Sequence, residues 1–289
     1  MYRKTMPYKI FNGCNILFLG LMALLCILPL IHVLAVSFSS SAAATANIVT
    51  LWPVDFTFVA YQKTFDNPLF LNSLVYAVAR TVSGTLLTML LTISAAYGLS
   101  KSFPGRTAYS WIIVFTMLFN GGLIPSYMVV TNLQLTNTLW ALILPSAVSV
   151  FNTILMMQFF RAIPKELVEA SSIDGAGYFR VLISIFLPLS LPSIATLSLF
   201  SMVGHWNSWF DGLLYITDYR KYPLATFLQT IIQSGDMRNT SIDPSELAAL
   251  SERTIRSAQI FIGALPILLV YPFLQKYFVS GTTMGAVKE

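Results

Sequence analysis

The chain has 289 residues, 56% of them hydrophobic and only 10% charged, with a formal net charge of +5 and a mean hydropathy of +0.71. A soluble domain carries about 25% charged residues, so a water-exposed globule is excluded. Disordered chains are polar and charged, and Gly 15 and Pro 14 show no period, so disordered and collagen-like classes fail too. What remains is an all-α integral membrane protein, one bundle of several helices.

A window of about 20 apolar residues marks a membrane helix. Six such runs are predicted in chain order, at residues 11–36, 71–99, 108–130, 139–160, 181–204 and 260–278. The first follows Arg3, Lys4 and Lys9 and precedes a small-residue segment at Ser41–Ala46. It is longer than the roughly 7–15 residues of a signal-peptide core, so an uncleaved anchor helix is expected. Cys14 and Cys26 both lie in this run. Twelve residues of helix hold them about 18 Å apart, too far to pair. The domain division expected is 1–69, an anchor helix and outer loop, and 70–289, the core of the bundle. That core includes an inner loop at 161–180 and an outer loop at 205–259.

Charge orients the bundle. With six spans both termini share a side. The loops on that side carry ten cations against four acids, and the opposite loops carry six cations against eight acids. Positive loops face the cytoplasm, so both termini are expected inside. The remaining cation, Arg80, falls within the second run.

Several features of the spans invite functional readings. Intramembrane ionisable groups are costly and face a cavity or a partner, so Arg80 is expected to snorkel, to pair with another subunit, or to touch substrate. Asn120-Gly121-Gly122 followed by Pro125 breaks the third run. A broken helix either lines a water path or bends for packing. Pro188 and Pro192 should kink the fifth run. Asn152, Trp206 and Asn207 could combine amide hydrogen bonds with an aromatic face. The stretch Trp206–Asp211 reads either as an interfacial aromatic belt or as part of a re-entrant or surface helix pair. Within the outer loop, Asp243-Pro244 and Glu246 give a helix start. His32 and His205 stand isolated near membrane edges and receive no ligand role.

The inner loop 161–180 reads RAIPKELVEASSIDGAGYFR. Pro164 and two early acids, Glu166 and Glu169, open a short helix. Small residues Ala170, Ser171 and Ser172 follow, and Gly175-Ala-Gly177 turns the backbone. A plain connector needs only a few residues. Twenty structured residues with a small-residue surface suit docking on a cytoplasmic protein.

This segment resembles the EAA signature of ATP-binding-cassette importer permeases, E-A-A-x3-G-x9-I-x-L-P. Glu169-Ala170-Ser171, Gly175, Ile185 and Leu187-Pro188 match it, with Ser171 replacing the second alanine. Phe70-Leu71-Asn72-Ser73, Ala96–Ser100, Phe103–Arg106 and the terminal Gly281–Lys288 are similar to the sugar-type permeases of the maltose-transporter class. The resemblance spans about residues 70–289 and is nearest to the branch linked to complex oligosaccharides and polysaccharide fragments. It implies a type I importer bundle of six spans with a cytoplasmic coupling helix. It further implies a second permease subunit as heterodimer partner, two copies of an ATP-binding subunit and an extracytoplasmic substrate-binding protein, all at a bacterial cytoplasmic membrane. Glu169, Ala170, Ser171, Asp174 and Gly175 would contact the ATPase, with Gly281 and Gly285 as a second contact region. Arg80, Asn120, Gly121, Asn152, Trp206 and Asn207 are the candidates for pathway or substrate contact.

The chain has no GxxxxGK[ST] loop, HExxH or Ser-His-Asp arrangement, so no catalytic residue, metal or cofactor is expected in it. ATP and Mg would be held by the partner ATPase. The rival readings are an importer of the same type for another solute, such as peptides, and a stand-alone secondary transporter. An ion-coupled transporter more often buries Asp or Glu, and no acid falls inside the six runs.

Overall fold

The computed structural model describes residues 6–119, 121–233 and 253–286. Helices account for every regular element among them. Helix α1 (Met6–Ser37) is apolar all round and almost wholly exposed, with mean hydropathy 2.7 over its most apolar window. A helix with no polar face has nowhere to sit but hydrocarbon. Cys14 and Cys26 are free and exposed on it. Two more helices are long and apolar enough to span, α4 (Pro68–Ser100) and α15 (Arg253–Ala286). Pro68 stands at the first position of α4, where its missing N–H costs no hydrogen bond.

Three further passes are bent pairs. The third run is α5 (Arg106–Leu118) and α6 (Leu123–Asn132). The fourth is α7 (Leu139–Ile143) with a 3-10 turn (Leu144–Ser146), then α8 (Val150–Arg161), bent by 52°. The fifth begins as α10 (Tyr178–Val181), continues through a π-helical turn (Leu182–Phe186) into α11 (Leu187–Leu189), and turns 83° into α12 (Leu191–Asn207). Counting each bent pair as one gives six passes. The bend expected from Pro188 and Pro192 falls between them, at buried Ser190, whose N–H reaches Phe186 O and Leu187 O. The bend in the fourth pass, which the apolar run alone does not announce, also carries a proline. Pro145 opens it, and the Ser149 hydroxyl caps α8 by accepting from the Asn152 N–H.

The chain divides into two compact units, Met1–Pro68 with Thr230–Leu265, and Leu69–Gln229 with Pro266–Glu289. In the first, α2 (Ser41–Thr45) packs Ala43 and Ala44 on Ala35 and Val36 at the end of α1. The Ser39 hydroxyl donates to Ala35 O and accepts from Val54 N–H, at 2.7 and 3.0 Å. Phe38 stacks with Phe56 and Tyr61. Tyr61 belongs to α3 (Val59–Phe65), whose Ala60 packs on Ile255 and Ala258 of α15. Arg253 donates to Ala44 O and Asn47 Oδ1.

The second unit is built on α4. Its buried face runs through Ser73, Ala77, Arg80, Gly84, Thr88 and Thr92. These recur every three or four residues, and most are small or hydroxyl-bearing, the composition that lets membrane helices approach closely. Its C-terminal end is apolar instead. There Ala96 and Leu99 join Met156, Phe160, Phe186 and Leu197 in one core. Helix α12 runs to Asn207, so His205 and Trp206, assigned to a loop from the sequence, are helical and buried. A short helix α13 (Phe210–Tyr215) follows, then α14 (Leu224–Gln233). The helix start expected at Asp243–Glu246 lies outside the described residues.

Close packing fixes α13. A Cβ on Gly212 would stand 2.0 Å from Thr226 Oγ1 and 2.9 Å from its Cβ. Thr226 is fully buried and donates to Trp209 O. Gly212→Ala should therefore destabilise by about 1–3 kcal/mol, the range for overpacking, with partial recovery in Gly212→Ala/Thr226→Ala. Thermal unfolding in detergent measures both, and an unchanged midpoint for Gly212→Ala would contradict the packing.

Candidate functional sites

A cleft of about 470 Å3, with polar side chains set in a mostly apolar lining, lies in the second unit among α4, the bend of the fourth pass, α12 and the start of α13. Arg80 forms one wall. It is 1% exposed and is held by groups within this chain. Its Nη1 donates to Ser208 O at 2.9 Å and to Asp211 Oδ1 at 3.2 Å; its Nη2 donates to Leu142 O at 3.3 Å and to Asp211 Oδ2. Asp211 is oriented in turn by the Ser208 hydroxyl and the Gly212 N–H, both at 2.9 Å. A guanidinium removed from water requires this kind of paired, bidentate neutralisation. Of the readings open for Arg80, an ion pair is made, and it is made within the chain, across 131 residues of sequence.

The opposite wall comes from the bend of the fourth pass. Ser146, Ser149 and Asn152 line it because the chain leaves helical geometry there and turns hydroxyls and an amide inward. Asn152 is buried, and its Nδ2 lies 3.5 Å from Ser201 Oγ on α12. Phe151 and Phe200 add aromatic faces. His205 sits flat against α4. A Cβ on Gly84 would meet its ring at 2.7 Å, so only glycine admits it, and Thr88 Oγ1 lies 3.4 Å from Nε2.

The structure brings Arg80 and Asn152 together in one cleft. Trp206 lines a separate apolar groove with Val78 and Val203, and Asn207 is exposed at the end of α12. Gly121 is exposed between α5 and α6, and Asn120 lies outside the described residues. Sequence reasoning missed Asp211 and set His205 aside. The signal for Asp211 was an intramembrane arginine in need of a counter-ion, with an acid standing in the polar-aromatic stretch 206–211.

The second candidate site is the loop 161–180. Helix α9 (Lys165–Ile173) starts after Pro164, and Gly175 turns the chain at φ +74°. Glu169, Ala170, Asp174 and Gly175 are exposed, and Ser171 is half-buried with its hydroxyl on Val168 O. Ile173, Tyr178 and Phe179 are 87%, 80% and 74% exposed, a large apolar display around a short helix. Both flanks of the loop are tied to α4. Arg161 donates to Leu99 O at 3.2 Å, and the Tyr97 hydroxyl donates to Tyr178 O at 2.8 Å. Lys101 stands 4.7 Å and 4.3 Å from the ring centroids of Tyr97 and Phe186, and burial there lowers its pKa below the ordinary lysine value. Gly281 and Gly285 fall in the last turns of α15.

The family described as binding-protein-dependent transport system inner membrane component matches residues 88–283. The chain is 43% identical over 286 residues to Protein LplC of Bacillus subtilis, covering 99% of this chain and 97% of that protein. It is 41% identical over 288 residues to the polygalacturonan/rhamnogalacturonan transport system permease protein YtcP of the same organism, covering 98% of this chain and 100% of that one. A solved structure, a bacterial ABC transporter involved in the import of the acidic polysaccharide alginate, superposes with TM-score 0.87 at 32% identity. That match covers 96% of this chain and 100% of the other.

Proposed function

The chain belongs to the family of binding-protein-dependent transport system inner membrane components, and on that footing we propose that it forms half of the pathway of an ATP-driven importer of oligosaccharides, including polysaccharide fragments. Its partners in this reading are a second permease subunit, two copies of an ATP-binding subunit and an extracytoplasmic substrate-binding protein. The chain supplies no chemistry of its own; ATP and Mg are held by the ATP-binding subunits.

The observation that carries this reading is the inner loop. An exposed short helix with apolar and acidic side chains, tied at both flanks to one long helix, is a docking element with a transmission rod. Closure of the ATPase dimer would move α9, and α4 would carry that movement to Arg80 and the cleft. A bundle with two states, biased by nucleotide on one side and ligand on the other, then alternates access. The reading is tested with the complete importer in proteoliposomes. ATP-dependent uptake of oligogalacturonides or rhamnogalacturonan fragments, stimulated by the binding protein, is expected. Absence of uptake for every oligosaccharide offered would refute it.

The loop charges support both termini in the cytoplasm. An alkaline phosphatase fusion at the C-terminus is expected to be inactive, and one at Asn239 active; the reverse pattern would invert the topology.

A further inference from the structure

Resting on the importer reading above, we infer that the cleft beside Arg80 is a sugar subsite within this subunit, and that it reads the hydroxyl groups of a glycosyl unit rather than a carboxylate. The volume, about 470 Å3, lies within the roughly 300–1,000 Å3 of small-molecule pockets. The wall has the chemistry of carbohydrate recognition. Ser149, Ser201 and Asn152 offer uncharged donors and acceptors, and Phe151 offers a ring for the apolar face of a pyranose.

Arg80 decides the substrate class. An arginine in a polar cleft invites a uronate carboxylate, yet this one has no free charge to give. Both terminal nitrogens are occupied, by Asp211 and by the carbonyls of Ser208 and Leu142. Its Nε, buried in the residue that walls the cleft, has no hydrogen-bond partner among the described residues. An ion pair neutralised in this way, whose remaining N–H at Nε is itself buried, presents no charge to a carboxylate and leaves recognition to the serine hydroxyls and the Asn152 amide. A carboxylate would have to displace Asp211 and leave that acid unpaired. The subsite therefore accepts acidic and neutral units alike, and selection for charge belongs elsewhere in the importer.

The test is protection from thiol labelling in the assembled complex. Cys14 and Cys26 are replaced by serine and Ser146→Cys is introduced in the cleft wall, with Ser208→Cys as an independent second position. Leu133→Cys, exposed and outside the cleft, is the reference. The probes are an oligogalacturonide and its carboxyl-reduced counterpart. At ten times the half-protecting concentration, labelling in the cleft should slow about elevenfold by mass action, with half-protecting concentrations of the two probes within about threefold and no change at Leu133→Cys. If the complex imports the oligosaccharide while neither cleft cysteine is protected, the subsite is wrong and the importer reading stands. Loss of protection by more than about tenfold on carboxyl reduction would mean a charge contact and would overturn the hydroxyl reading. Absence of import of any oligosaccharide overturns the importer reading itself.

Discussion

Asp211→Ala is expected to destabilise the protein by about 3–5 kcal/mol, the cost of leaving a buried charge without its partner. The expectation follows from burial and geometry together. Arg80 is 1% exposed, Asp211 is 23% exposed, and the carboxylate receives both terminal nitrogens of the guanidinium. Arg80→Lys should be nearly as damaging, because one ammonium cannot reach Asp211, Ser208 O and Leu142 O at once as the planar fork does. The double replacement Arg80→Met/Asp211→Leu removes both charges, and it should recover most of the stability while losing uptake. Thermal unfolding of detergent-solubilised protein gives the first readout and proteoliposome uptake the second. Wild-type stability in Asp211→Ala would show that the pair holds nothing together.

The two sites were legible in the sequence to different degrees, for a physical reason. The loop 161–180 is local. Its helix start, small-residue face and glycine turn occupy one continuous segment, which Gly175 closes at φ +74°. The cleft is not local. Its residues come from three stretches more than 120 residues apart at the extremes, and hydropathy around Asn152 does not mark the bend that turns Ser146 and Ser149 inward, whose one local sign is Pro145. Hydropathy finds spans because each must bury its backbone hydrogen bonds in lipid. It does not find bends that a serine cap and a 3-10 turn make. Arg80 was conspicuous as a charge in an apolar run, but its three acceptors lie 62 to 131 residues away. The same pairing explains why no buried acid could be read. Asp211 sits in a short helix after the fifth span and reaches its partner through the fold.

Gly175→Leu should leave the bundle inserted and folded, yet uncouple it from the ATPase. Within this chain the cost is conformational, because a Cβ at Gly175 would meet no atom within 4 Å. The left-handed φ of +74° is what a β-carbon resists, by about 1–2 kcal/mol. That strain is relieved when the turn after α9 relaxes to another conformation, which shifts Asp174 and the exposed Tyr178 and Phe179 off the docking face. A coupling energy between sites is typically about 1–3 kcal/mol, so a shift of this size removes much of it. Gly175→Asn is the discriminating control, since asparagine tolerates the left-handed region; it should retain most uptake. Gly175→Ala should fall between the two, with the strain but without the bulk at the contact. The measurements are binding-protein-stimulated ATP hydrolysis and co-purification of the ATP-binding subunit with each variant. Loss of both in Gly175→Leu with retention in Gly175→Asn is the expected pattern. Normal stimulated hydrolysis in Gly175→Leu would mean that the turn sets no contact and that α9 only connects two spans.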